Sequence, residues 1–174
     1  MRMIVTALFA AGMLLPATAQ EGGSRASATM TTAEGGQAGT VTFQETKSGL
    51  LHVIVEMTGL KPGPHAFHVH EKGTCDAASG FESAGGHLAG GKKHGVDNAD
   101  GPHAGDFPNV HVGQEGVLKA EFFTDRLSIS GGDAALLDED GAAVMVHAEA
   151  DDNASDPAGE AGARIACGVV EQPG

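Results

Sequence analysis

The sequence predicts an all-β fold, an antiparallel sandwich or barrel, on three observations. Several segments alternate apolar and polar residues with period two, the mark of half-buried strands. Glycine and proline punctuate between them, and the chain holds 27 glycines in 174 residues. No segment carries the apolar periodicity of an amphipathic helix.

The first clear strand pattern sets Val41 and Phe43 against Thr42 and Gln44. In the next, Leu51, Val53, Val55 and Met57 share a face opposite His52, Ile54 and Glu56. Further strands are expected over Pro64–His70, Val117–Phe123, Ala142–Ala148 and Arg164–Val170. Gly59-Leu60-Lys61-Pro62-Gly63 carries turn residues between two of them. The core must come from Val, Ile, Leu, Ala, Met and seven Phe, because the chain has no Trp and no Tyr. Two stretches break the pattern: Glu71–Gly116 is long, Gly-rich and aperiodic, and Asp151–Ala163 is shorter. Long structureless loops are uncommon in compact domains and usually functional.

Residues 20–174 form one domain in this reading, with residues 20–26 as a disordered lead-in. Residues 1–19 read as a signal peptide. Arg2 supplies the positive start, Ile4–Leu15 an apolar stretch too short to span a bilayer comfortably, and Ala17-Thr18-Ala19 a small-x-small cleavage site. The competing reading is a membrane anchor or buried helix. No later segment is apolar enough to span a membrane, so the mature protein is expected to be soluble, and periplasmic or secreted after cleavage near Ala19. Asp+Glu number 23 against Lys+Arg 10, a net charge of −13. Such acidity argues against a nucleic-acid partner, since phosphate binding needs clustered Lys and Arg. An even cysteine count in an exported chain suggests one disulfide, against the alternative of two buried free thiols.

Histidine placement points to chemistry. His68 and His70 lie two apart on an expected strand, which puts both side chains on one face with Cα atoms about 7 Å apart. Two such imidazoles make a rigid half of a metal site, or simply two surface histidines. The long loop adds His87, His94, His103 and Asp106, and three His with one Asp suit a closed tetrahedral zinc site. Scattered polar loop residues are the alternative. His147 ends an apolar strand, where a lone satisfied histidine is the ordinary reading. His52, His65 and His111 are expected to be non-ligands. Arg164 opens the last strand; a guanidinium is always charged and suits a small anion, but an ordinary surface ion pair would look the same.

Two longer motifs carry a resemblance. Ala66-Phe67-His68-Val69-His70-Glu71-Lys72-Gly73 and Gly159-Glu160-Ala161-Gly162-Ala163-Arg164-Ile165-Ala166-Cys167-Gly168-Val169-Val170 resemble the two signatures of the copper–zinc superoxide dismutase family, bacterial periplasmic branch. The resemblance covers about Thr31 to Val170. It implies an eight-stranded Greek-key β-sandwich, a flattened barrel, with two long functional loops. It also implies copper on His68, His70, His87 and His147, and zinc on His87, His94, His103 and Asp106, with His87 shared as a catalytic bridge. Asp151 matches the family carboxylate that hydrogen-bonds a ligand of each metal, Cys75 and Cys167 match its disulfide, and Arg164 matches its catalytic anion-holding arginine.

The implied reaction disproportionates superoxide to oxygen and hydrogen peroxide, with copper cycling one electron. The resemblance leaves monomer and homodimer both open. Three departures stand out: Glu160 where Gly, Asn, Asp or His is usual, Leu88-Ala89 after the shared histidine, and no lysine in Asp151–Ala163. Steering charge is then expected from Arg164 and the metals, with Lys72, Lys92 and Lys93 as further candidates. A redox-inactive copper- or zinc-binding protein on the same fold is the rival reading; a purely structural sandwich leaves the clustered histidines unexplained.

Overall fold

The computed structural model describes residues 23–173; the signal-peptide reading of residues 1–19 falls outside them. A three-strand meander comes first: β1 (Arg25–Thr32), β2 (Gln37–Glu45) and β3 (Leu51–Met57). Pro64–His70 divides at Ala66 into β4 (Gly63–His65) and β5 (Phe67–His70). Then come β6 (Val110–Val112), β7 (Leu118–Thr124), β8 (Ala143–His147) and β9 (Arg164–Glu171).

The seven-stranded antiparallel sheet runs β5-β8-β9-β1-β2-β3-β7, and β4 pairs with β6. β6 packs against β7, and β4 is continuous in chain with β5, so the sheet curls back on itself as a flattened barrel. With β4 and β5 counted as one bent strand, the eight expected strands are recovered. The spatial order β9-β1-β2-β3, a meander with a distant strand returned beside its first member, is the Greek-key arrangement.

Two expectations need correction. Residues 25 and 26 are not lead-in but the start of β1, where Ala26, Ala28 and Met30 face the core. That strand is built of small residues, so its alternation has little hydrophobic contrast. Val110–Val112 is a strand inside the stretch read as aperiodic loop, too short to show a period. The same loop also contains two single 3₁₀ turns, Ala77–Ser79 and Glu82–Ala84.

The main core lies inside the barrel. Val41 and Phe43, then Leu51, Val53, Val55 and Met57, point inward as the alternation demands, joined by Phe67, Val69, Val144 and Val146. The outer face of β8 and β9 is also covered. Ala143, Met145 and Cys167 there meet Phe81 and Ala84 from the long loop. Burying Phe81 on this small second core stabilises the loop's position by about 2–3 kcal/mol. The Cys75–Cys167 disulfide closes the same contact across a sequence separation of 92.

Candidate metal centre

β5 presents Phe67 and Val69 to the core and His68 and His70 to the outside, yet all four are buried. The cover is the long loop, which lies along β5 through isolated bridges from His68 to Asp106 and from His70 to His87. Gly105 permits that approach, because a Cβ there would strike the Val69 carbonyl. A register shift between Val146 and His147, of the kind that re-aims side chains beside functional sites, brings His147 opposite Arg164.

His68, His70, His87 and His147 offer nitrogens that all lie within 4.8 Å of one another. Each ring has one nitrogen engaged by the protein. His68 Nε2 sits 2.6 Å from Asp151 Oδ2, His70 Nδ1 3.0 Å from the Gly85 carbonyl, and His147 Nδ1 3.3 Å from the Gly162 carbonyl. His87 Nδ1 is 2.9 Å from Asp106 Oδ1. The other four nitrogens, His68 Nδ1 and Nε2 of His70, His87 and His147, are buried with no hydrogen-bond partner. A buried unpartnered nitrogen costs about 1–3 kcal/mol, and four converging on one point fit a metal ion that prefers imidazole.

Electrostatics keep these rings ready. Burial pushes His70 down to about 2 and His147 to about 3. Burial also lowers His68, to about 4, with the Asp151 hydrogen bond pulling the other way. All three are therefore neutral at pH 7 and keep a lone pair for a metal. The sign of the resulting pH dependence is fixed: unfolded histidines take protons near 6.5 while these stay neutral. The unfolded chain then binds more protons, so stability is fully present above pH 6.5 and is lost as pH falls. The metal-free protein is expected to lose melting temperature steadily between pH 7 and about 4, at up to about 1.4 kcal/mol per pH unit for each ring. Thermal unfolding across that range checks this; a flat profile contradicts it.

The second group shares His87. Nδ1 atoms of His87, His94 and His103 lie 2.9, 3.1 and 3.3 Å from Asp106 Oδ1, and those of His87 and His103 are 3.4 Å apart. Four ligands at zinc bonding distance in a tetrahedron are separated by about 3.3 Å, so the donor set fits. Asp106 Oδ2 accepts from the Gly95 and His103 main-chain N–H groups. Burial favours the neutral acid, but contacts with His87 and the Gly95 N–H outweigh it and hold the carboxyl well below its usual range.

Asp151 joins the two groups. Its Oδ2 faces His68 Nε2, and its Oδ1 lies 3.0 Å from His94 Nε2. Burial works against its ionisation, yet the His68 contact, the Asn153 N–H and His94 hold it at about 2. Gly159, in left-handed conformation, leaves the space, since a Cβ there would overlap Asp151 and His94. Asp151→Ala strands an N–H on each side and is expected to weaken both copper and zinc affinity about 10- to 100-fold. Chelator competition on each metal separately checks it; loss confined to one metal contradicts the bridging role.

Arg164 donates from Nη1 to the Phe81 carbonyl at 2.7 Å and from Nη2 to the Gly85 carbonyl at 2.8 Å. It lines a cavity of about 600 Å³ together with His70, His87 and His147. The structure thus brings together every residue singled out from the sequence for these roles. The three histidines expected to be non-ligands lie apart from both groups: His65 sits against the Lys61 and His147 carbonyls, His52 stacks on exposed Phe123, and His111 is exposed. Sequence reasoning missed Asn109, whose side chain clasps the main chain of Asp151 from both sides. It also missed the Phe81 and Gly85 carbonyls. Main-chain acceptors leave no mark in residue type.

A curled Greek-key sandwich carrying two buried ligand groups that share one histidine defines a dinuclear metalloprotein. Residues 37–170 match the family model for copper/zinc superoxide dismutase, and the chain belongs to that family, whose metals are copper and zinc. It is 43% identical over 150 residues, 84% of this chain and 85% of the relative, to the Cu-Zn superoxide dismutase of Caulobacter vibrioides. It is 38% identical over 169 residues to Cu-Zn superoxide dismutase 2 of Aquifex aeolicus, covering 95% of this chain and 98% of that one. Among solved structures, a SOD-like protein from Bacillus subtilis matches with TM-score 0.78 and 36% identity, over 85% of this chain and 98% of the other.

Proposed function

We propose that the protein dismutates superoxide, converting two superoxide anions and two protons to oxygen and hydrogen peroxide. The observation that carries this reading is the convergence of four buried, unpartnered imidazole nitrogens beside a cavity lined by a guanidinium. Copper on His68, His70, His87 and His147 supplies the one-electron chemistry when bound, and zinc on His87, His94, His103 and Asp106 has no redox chemistry of its own.

The chain's own residues do the rest. Arg164 cannot lose its charge and is held over the cavity by two carbonyls, so it binds and orients a small anion. His87 Nδ1 lies among the zinc ligands while its Nε2 faces the copper ligands, so Nε2 is the atom that holds a proton for the reduced substrate. Asp151 fixes His68 and His94 at once. Residues 1–19 are a signal peptide in this reading, and residues 20–174 act in the periplasm or outside the cell. The Cys75–Cys167 disulfide is compatible with such an oxidising compartment.

Lys72, Lys92 and Lys93 do not line this cavity, and Lys92 lines a different one. The charged residues that do are Glu82, Asp156 and Glu160 against Arg164. Carboxylates at the mouth repel an anion and salt screens them, so kcat/KM is expected to rise about twofold from low to physiological ionic strength. A rate that falls with salt contradicts this.

A redox-inactive metal-binding role is the second reading, kept because some relatives, from Bacillus subtilis, are described as superoxide dismutase-like and not as superoxide dismutases. Dismutation by copper- and zinc-reconstituted protein, with metal content measured on the same sample, separates the two. Fast turnover supports the enzyme. A fully metallated, inactive protein supports the metal-binding reading.

A further inference from the structure

We propose that Arg126 is a positioning residue for the zinc group, acting through the main chain of Asp106. The proposal rests on reading His87, His94, His103 and Asp106 as the zinc ligands. Arg126 lies two residues beyond the end of β7, and its main-chain N–H donates to the hydroxyl of buried Thr124 at 3.1 Å. Its guanidinium then reaches across a sequence separation of 20 residues, and Nη2 donates to the Asp106 carbonyl at 2.6 Å.

That contact falls on the main chain of the residue that carries the carboxylate of the zinc group. The Asp106 carboxylate is surrounded by its own loop: His87 and His94 at Oδ1, and the Gly95 and His103 N–H groups at Oδ2. From the sandwich, this corner is held by main-chain contacts to β5, at His68 and through the Val69 N–H on the Gly105 carbonyl, by the Phe107 ring packed against Phe67 and Phe122, and at the Asp106 carbonyl by the Arg126 side chain. Fixing the carbonyl fixes the direction in which the Cα–Cβ bond leaves the backbone, and so the point at which Oδ1 meets the three Nδ1 atoms. Arg126 also lines both cavities that flank the corner, one of about 350 Å³ with Asp106 and Asp151 and one of about 320 Å³ with Gly90 and Ala104. Its side chain therefore limits the room the Asp106 backbone has to shift.

Partners that orient metal ligands are typically worth 10- to 100-fold in affinity, and one acting through the backbone belongs at the lower end. The test compares Arg126→Met and Arg126→Lys with the wild-type full chain. Zinc affinity is read by chelator competition, ligand-field bands with Co(II) in the same site, and the melting temperature of the metal-free protein. Arg126→Met is expected to weaken zinc about tenfold and shift the Co(II) bands, with metal-free melting within about 2 °C of wild type and copper affinity unchanged. Arg126→Lys, which can still donate to the carbonyl, is expected to restore most of the zinc affinity. Wild-type zinc affinity and Co(II) bands in Arg126→Met overturn the proposal. So does lowered melting with unchanged Co(II) bands, which marks a merely structural role. A wild-type chain that takes up neither zinc nor cobalt overturns the zinc reading itself, and this proposal with it.

Discussion

Arg164→Ala is expected to lower kcat/KM for superoxide about 10- to 100-fold while both metals stay bound. A hydrogen bond to a charged partner is worth about 1.5–3 kcal/mol, and about 1.4 kcal/mol is tenfold in rate. Among the described residues, Arg164 is the only Lys or Arg lining the cavity with His70, His87 and His147, so no neighbour replaces it. Its two donor contacts go to main-chain oxygens, not to metal-ligand side chains, so the ligand groups survive its loss. One indirect link exists: the Gly85 carbonyl faces both Arg164 and His70. Removing the arginine leaves that carbonyl to His70 alone, which keeps the ring's orientation. Steady-state or stopped-flow dismutation with metal analysis on the same sample checks the prediction. Full activity in a metal-replete variant contradicts it.

Loss of the disulfide is expected to have the largest effect on stability. Replacing Cys75 and Cys167 by alanine releases a loop closed across a separation of 92 residues, which on the chain-entropy model costs about 4–5 kcal/mol. The effect extends to the site. Cys75 anchors the segment that carries the Phe81 and Gly85 carbonyls, and Cys167 lies on β9 three residues after Arg164. Untied, the small core of Phe81, Ala84, Ala143 and Met145 is left to hold those carbonyls. Denaturant unfolding of the double variant reads the stability loss directly. Activity measured below the transition is expected to fall with the metals retained. Unchanged stability contradicts the account of how this loop is held.

The sandwich was legible where its strands combine large apolar residues with strict alternation. Leu51 to Met57 forms β3 as expected, and Arg164–Val170 begins β9 at the expected residue. It was not legible in β1, where Ala, Ser and Thr alternate with little hydrophobic contrast, nor at Ala66, where one apparent strand bends into two. The strand period places His68 and His70 on one face, but the division of the histidines into two ligand groups, and the place of His147 in one of them, came from the family resemblance and not from spacing. What holds the groups was not legible. Asn109, Arg126 and the carbonyls at Phe81 and Gly85 act through the main chain of distant residues, and only the folded loop brings them near. The acidic cavity mouth was also hidden, since Glu82, Asp156 and Glu160 come from two separate loops.

His87 is proposed to serve two metals at once: its Nδ1 lies in one ligand group and its Nε2 in the other. The direct measurement is the electron paramagnetic resonance spectrum of Cu(II) in the protein, recorded with zinc and then with paramagnetic Co(II) in the second group. Two paramagnetic ions on opposite nitrogens of one ring couple through it, so the Cu(II) signal is expected to collapse when Co(II) replaces zinc. An unchanged Cu(II) signal in a sample carrying one copper and one cobalt would show that no ring joins them, and the shared-histidine centre would be wrong.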